Sequence, residues 1–198
     1  MLDQHRNWFK SLENITANIF AALPLTPNNY TSLSIVAALI MMYFMAIGEY
    51  ALALLLFIVS AGMDFIDGAV ARKKNLSTKK GAYWDTIADR YVEAIFLIGL
   101  TRANIPDFYL SANTWTFILL VGALMTTYAK AAAKEKGLSE TELKGGLMSR
   151  AERFISYGAI LFFLIGNRTE WVAIIIVLLA LLSNLTAVQR ISAALYKA

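Results

Sequence analysis

The chain has 198 residues, 58% of them hydrophobic, and a formal net charge of +4. The absence of cysteine and the single histidine, His5, exclude disulfides, Cys-ligated zinc or iron–sulfur centres and a His-rich metal site. The apolar fraction exceeds the rough half that is usual for a soluble domain, and the positive charge suits anionic lipid or phosphate-bearing partners.

Residues 1–14 are polar and mixed, so no cleavable signal peptide is expected there. Over residues 4–22, Trp8, Leu12, Ile15 and Ile19 recur at helical spacing, with His5, Arg6, Lys10 and Glu13 placed elsewhere. The pattern predicts an amphipathic helix lying on a membrane surface; a soluble arm packed on the rest of the chain is the alternative. Pro24 and Pro27 should end it.

Six apolar spans follow, at residues 29–48, 50–73, 82–103, 112–136, 147–166 and 170–195, each about as long as the 20 residues a bilayer crossing needs. Their connections are short and several contain Gly or Pro, as turns require. No internal repeat or linker interrupts them. The expectation is an all-α integral membrane protein of six transmembrane helices with an N-terminal interfacial amphipathic helix. It would form a single domain over residues 1–198, with the interfacial segment at 1–26 and the six-helix bundle at 29–195.

An even number of spans puts both termini on one side. That side would hold Arg6, Lys10, the run from Arg72 to Lys80, Lys130, Lys134, Lys136, Lys144, Arg150, Arg153, Arg190 and Lys197. The opposite side would hold only Arg102 and Arg168. The excess of cations marks the cytoplasmic face of a multi-pass protein of the cell membrane. Basic residues confined to short loops between apolar spans argue against a nucleic-acid partner.

Residues 60–96, "SAGMDFIDGAVARKKNLSTKKGAYWDTIADRYVEAIF", break this apolar pattern. They carry Asp64, Asp67, Asp85, Asp89 and Glu93, with Arg72, Lys73, Lys74, Lys79 and Lys80 between them. Asp64 and Asp67 are three apart near the end of the second span; Asp85 and Asp89 are four apart near the start of the third. Each pair shares a helical face, and the short turn between the spans predicts antiparallel neighbours. The four carboxylates can then meet at one seam. Ionised carboxylates that close repel one another, and one or two divalent cations would relieve this. Oxygen ligands suit Mg²⁺ or Mn²⁺, and two such ions could clamp a phosphoryl centre. Helix-end caps or surface charges are the plain alternative, but ionisable residues inside a membrane are usually functional. Gly68, Ala71 and Gly81 are small, allowing close helix approach and leaving room for a ligand.

The run Asp64-x-x-Asp67-Gly68-x-x-Ala71-Arg72, then eight residues, then Gly81-x-x-x-Asp85-x-x-x-Asp89, resembles the signature of the CDP-alcohol phosphotransferase family at every fixed position. The six spans, the amphipathic segment and the "TPNNYTSLS" lead-in to the first span are similar to that family too. The resemblance implies attack by an alcohol on the β-phosphate of a CDP-linked lipid, with CMP leaving. It implies that Asp64, Asp67, Asp85 and Asp89 bind two divalent ions, Mg²⁺ or Mn²⁺, with Asp89 also the general base. Gly68, Arg72, Thr78 and Gly81, with Asn28 and Thr31 of "PNNYT", match donor-site positions. For Thr78, Asn28 and Thr31, helix capping or turn formation is an equal alternative.

"TTYAKAAAKEKG", "GGLMSRAERF" and Arg190 look like the branch that makes phosphatidyl- or archaetidylinositol phosphate. This implies a polyol phosphate acceptor, best matched by inositol phosphate and held by Lys130, Arg150, Arg153 and Arg190; positive-inside topology alone could also explain these cations. Ala132 and Ser149 depart from the branch, which commonly has a basic and an acidic residue there. Glycerol phosphate is therefore the rival acceptor, a cation transporter using the aspartates is the alternative from another class, and a non-catalytic lipid-binding scaffold is a third. A homodimer is a further implication of the resemblance. Ester- and ether-linked donors both remain open.

Overall fold

A computed structural model describes residues 15–138 and 146–196. These are almost wholly helical. Residues 15–21 form α1; α2 (Pro27–Ala46), α3 (Tyr50–Lys73), α4 (Lys79–Leu100), α5 (Ala112–Glu135), α6 (Arg150–Ile165) and α7 (Thr169–Tyr196) follow. Trp8, Leu12, His5, Arg6, Lys10 and Glu13 of the expected surface helix lie outside the described residues, as do Lys144 and Lys197.

The six long helices match the six apolar spans to within a few residues. Four of them, α2, α3, α5 and α7, are long and apolar enough to cross a membrane. Two expected spans do not meet that standard, for different reasons. α4 is long enough but carries Lys79, Lys80, Asp85, Asp89, Arg90 and Glu93. α6 has 16 residues, which at the helical rise gives about 24 Å against a hydrocarbon core of roughly 30 Å. The chain is an all-helical, multi-pass membrane protein.

The chain divides into two compact units, Met1–Tyr43 with Leu55–Phe96, and Phe44–Leu54 with Leu97–Ala198. In the first, Tyr30, Ile66 and Val70 form a buried cluster on which Phe20, Leu25 and Met63 pack. The Tyr30 hydroxyl donates to the Phe20 carbonyl at 2.9 Å, and the two rings meet edge to face at 6.0 Å. Phe20 thus fastens α1 inward, while Ile15 and Ile19 of its expected apolar face are exposed. Lys74 Nζ donates to the carbonyls of Leu23 and Leu25 at 3.2 and 3.3 Å, and Lys73 Nζ to the Asn18 side chain. Pro27 opens α2, where its missing N–H has no helical partner to lose. A small hydroxyl joins α3 to α2, Ser60 Oγ donating to the Ser34 carbonyl at 2.9 Å, while within α2 Ser34 Oγ donates to the Thr31 carbonyl at 2.7 Å.

In the second unit α7 packs along α5 and on α6. Gly122 makes the α5–α7 approach possible: a Cβ there would lie 2.6 Å from Asn184 Nδ2 and 2.9 Å from its backbone nitrogen. Asn184 Nδ2 donates to the carbonyls of Ile118 and Ala180, at 2.9 and 2.8 Å, so the amide is satisfied within an apolar setting. A tight turn precedes α5. Tyr109 takes a left-handed φ of 58°, Trp115 Nε1 donates to the Phe108 carbonyl at 2.8 Å, and Ser111 caps the helix through Thr114 N. Ser149 and Glu152 form a reciprocal capping box at the start of α6.

Candidate active site

Residues 74–78 connect α3 to α4, with Asn75 in the left-handed region at φ 56°. Asparagine tolerates that conformation better than most side chains, which permits so tight a reversal. It brings the aspartates of the two helices together. One carboxylate oxygen from each of Asp64, Asp85 and Asp89 lies within 4.8 Å of the other two, and all three residues are partly buried. Asp67 stands outside that trio. It is 7% exposed and accepts a hydrogen bond from Thr31 Oγ1 at 2.5 Å, a link from α3 to α2. The donor set is entirely oxygen and partly shielded from water, which fits a hard divalent ion such as Mg²⁺ or Mn²⁺.

Beside the carboxylates is a cleft of about 170 Å³. Asn28, Thr31, Gly68, Arg72, Thr78 and Gly81, all six donor-site expectations, line it together with Asp67 and Asp85. The glycines shape its wall. A Cβ on Gly68 would come to 3.3 Å from Arg72 Nη1, so the bare position lets the guanidinium fold back over α3. A Cβ on Gly81 would lie 3.2 Å from Thr78 Oγ1 and 3.3 Å from Asn28 Oδ1. Thr78 Oγ1 also accepts from Gly81 N at 3.0 Å. Thr78 thus caps α4, as the plain reading allows, and lines the cleft as well. Arg72 supplies a planar cation suited to phosphate oxygens.

The acceptor-site expectations fall in the second unit. Arg153 is 1% exposed. Arg190 Nη1 donates to the Thr126 carbonyl at 2.6 Å, which anchors the α7 side chain on α5. Arg150 lies over the Phe154 ring, 4.7 Å from its centroid. Lys130 is half-buried, one turn beyond Thr126. Arg153 and Arg190 stand on α6 and α7, which pack on each other.

Three features escaped the sequence reading. Thr186 Oγ1 accepts from Met148 N at 2.9 Å and sets the approach to α6; the sequence carries no signal for this. The Ser149–Glu152 box is the S-x-x-E pattern of a helix start, at a position that the branch resemblance marks only as a departure. Arg90 reaches Glu93 and Asp89, at 3.2 and 3.6 Å, and only the i,i+3 spacing of the first pair hinted at it.

Comparison with known proteins bears directly on this arrangement. The family model described as CDP-alcohol phosphatidyltransferase matches residues 24–185. The archaetidylinositol phosphate synthase of Pyrococcus horikoshii is 30% identical over 171 residues, covering 86% of this chain and 84% of that one. The phosphatidylinositol phosphate synthase of Mycobacteroides abscessus is 29% identical over 201 residues, covering 95% and 86%. Among solved structures, the Mycobacterium tuberculosis phosphatidylinositol phosphate synthase with CDP-DAG bound superposes with a TM-score of 0.80 at 25% identity, over 93% of this chain and 94% of that one. The same enzyme in complex with manganese and citrate gives 0.81 at 25% identity, over 92% and 88%. The match runs through both units and includes the helices that carry every aspartate of the seam, so the chain belongs to the CDP-alcohol phosphatidyltransferases, enzymes that transfer substituted phosphate groups.

Proposed function

We propose that this enzyme transfers a phosphatidyl or archaetidyl group from a CDP-lipid to inositol phosphate, releasing CMP. The observation that carries the reading is the convergence of Asp64, Asp85 and Asp89 beside a cleft lined by Asn28, Thr31, Gly68, Arg72, Thr78 and Gly81. The inositol phosphate acceptor is supported by the relatives' names and by the placement of Arg153 and Arg190 on the packed helices α6 and α7, since a phosphate monoester needs more than one cation. The donor is supported by the CDP-DAG bound in the M. tuberculosis structure, and manganese by the ion found there.

Asp64, Asp67, Asp85 and Asp89 would hold two divalent ions, with Thr31 fixing the Asp67 carboxylate by its hydrogen bond. When bound, such ions supply positive charge that offsets the phosphate oxygens and the charge gathering on the leaving group. The Arg72 fork binds the donor's phosphates, while Asn28 and Thr78 offer polar groups to its nucleotide. Arg153 and Arg190, with Lys130 and Arg150, bind the acceptor's phosphate. Asp89 takes the proton from the attacking hydroxyl. The new O–P bond forms at the β-phosphate as the bond to CMP breaks.

The same proposal has all six long helices crossing the membrane. Ile155 and Phe162 of α6 and Ile98 of α4 are well exposed, which suits lipid contact. It makes residues 1–198 one domain, supported by a family match that spans both units, with 1–26 on the membrane surface. Both termini face the cytoplasm, by the distribution of Lys and Arg, and two copies form a homodimer.

Purified protein given Mn²⁺ or Mg²⁺, CDP-lipid and inositol phosphate should release CMP, and chelation should stop it. Release with glycerol phosphate but not inositol phosphate would reassign the acceptor; Ala132 and Ser149 are the residues that favour that second reading. No CMP with any polyol phosphate would overturn the proposal.

A further inference from the structure

Glu93 extends the signature by one turn. Gly81, Asp85, Asp89 and Glu93 follow one another at four-residue intervals along α4, so they form one column. Asp85 and Asp89 take part in the carboxylate trio, whereas Glu93 is 0% exposed. A carboxylate buried to that degree needs a partner. Arg90 provides it: Nη1 donates to Glu93 Oε2 at 3.2 Å.

The other arm of that guanidinium reaches toward the site. Arg90 Nη2 lies 3.6 Å from Asp89 Oδ2, an ion-pair distance too long for a hydrogen bond. Consecutive residues on a helix do not face each other, so Arg90 meets Asp89 only if its side chain wraps across the column. Glu93, three residues from Arg90 and four from Asp89, is the anchor that holds it there. Resting on the metal-binding reading above, we infer that Glu93 is a positioning residue, acting through Arg90 to fix the Asp89 carboxylate for its divalent ion. With the Glu93 carboxylate as its partner, the guanidinium is balanced and its second arm steadies one Asp89 oxygen. Without that charge, the guanidinium is drawn onto Asp89 and competes with the ion. Supporting groups of this kind commonly change metal affinity by about 10- to 100-fold.

The test is a titration of Mn²⁺ alone into the purified chain, followed by loss of the free-ion EPR signal, with no donor or acceptor present. Glu93→Gln should weaken Mn²⁺ binding by about tenfold. In an Arg90→Gln background the same change should have no further effect, because the route through Arg90 is already gone. Unchanged affinity in Glu93→Gln, or an equal loss in both backgrounds, overturns the inference. Should Glu93→Gln fail to fold by far-UV circular dichroism, Glu93→Asp makes the same test: it keeps the charge, withdraws it by one methylene and should still weaken Mn²⁺ binding, and undiminished binding overturns the inference. Wild-type protein that takes up no Mn²⁺ removes the metal-binding reading and this inference together; wild-type uptake with an unaffected Glu93→Gln removes this inference alone.

Discussion

The α3–α4 seam and the α5–α7 pair both rely on glycine, and they use it in opposite ways. At the seam the space beside Gly68 and Gly81 is bordered by the polar ends of side chains, those of Arg72, Thr78 and Asn28, and a cleft remains. Between α5 and α7 the space over Gly122 is filled by Asn184, whose amide is tied to two carbonyls. Gly146, with φ of 114°, is closed off by Thr186 in the same manner. A missing side chain is thus a vacancy for ligand in one region and a docking point for structure in the other. The difference lies in what faces the glycine: side-chain atoms alone in the first, helix backbone and a fixed amide in the second.

The largest effect should come at the seam, on chemistry rather than folding. Asp89→Asn should lower CMP release by about 10²- to 10⁴-fold, the usual range for a lost general base, with CDP-lipid binding retained. Normal turnover in that variant would take Asp89 out of the base role. Next in size is Gly122→Ala. The added methyl meets the α7 backbone, and such overpacking costs about 1–3 kcal/mol, readable as a lower thermal midpoint. An unchanged midpoint would mean that α7 yields easily and that the contrast drawn above is false.

Gly81→Ala sharpens the comparison from the other side. Here the methyl meets only the ends of Thr78 and Asn28, and alanine favours a helix over glycine by up to about 1 kcal/mol. Stability should hold or rise while CDP-lipid affinity falls about tenfold, equivalent to about 1.4 kcal/mol. A drop in stability with unchanged affinity would make this glycine structural after all. The smallest effect belongs to Ser149→Ala, which removes the capping box of α6 and should lower stability by about 1 kcal/mol in a thermal melt. No loss would place the start of α6 under tertiary control instead.

What could be read from the sequence follows from how each contact is encoded. The aspartates were legible because intervals of three and four residues fix a face on any helix, and the turn between α3 and α4 leaves their partners little choice. The Thr31–Asp67 bond and the Arg190–Thr126 bond join residues 36 and 64 positions apart. Such pairings depend on how each helix is rotated about its axis, and nearly uniform apolar spans do not specify that rotation. Hydropathy gave six spans to within a few residues, yet four helices meet the crossing standard, because the charges of the site lower the apolar character of α4 and α6 is short. Function and span-like appearance compete for the same residues in α4.

The tether of α1 carries its own evolutionary consequence. Lys74 grips the main-chain oxygens of residues 23 and 25, not their side chains. Every amino acid presents that oxygen, so drift at those two positions leaves the grip chemically intact. For the grip itself the constraint falls on position 74, where a long donor must span the gap, while Leu25 keeps a separate constraint through its packing on Tyr30, Ile66 and Val70. Among distant homologues, the lysine should outlast the exposed Leu23.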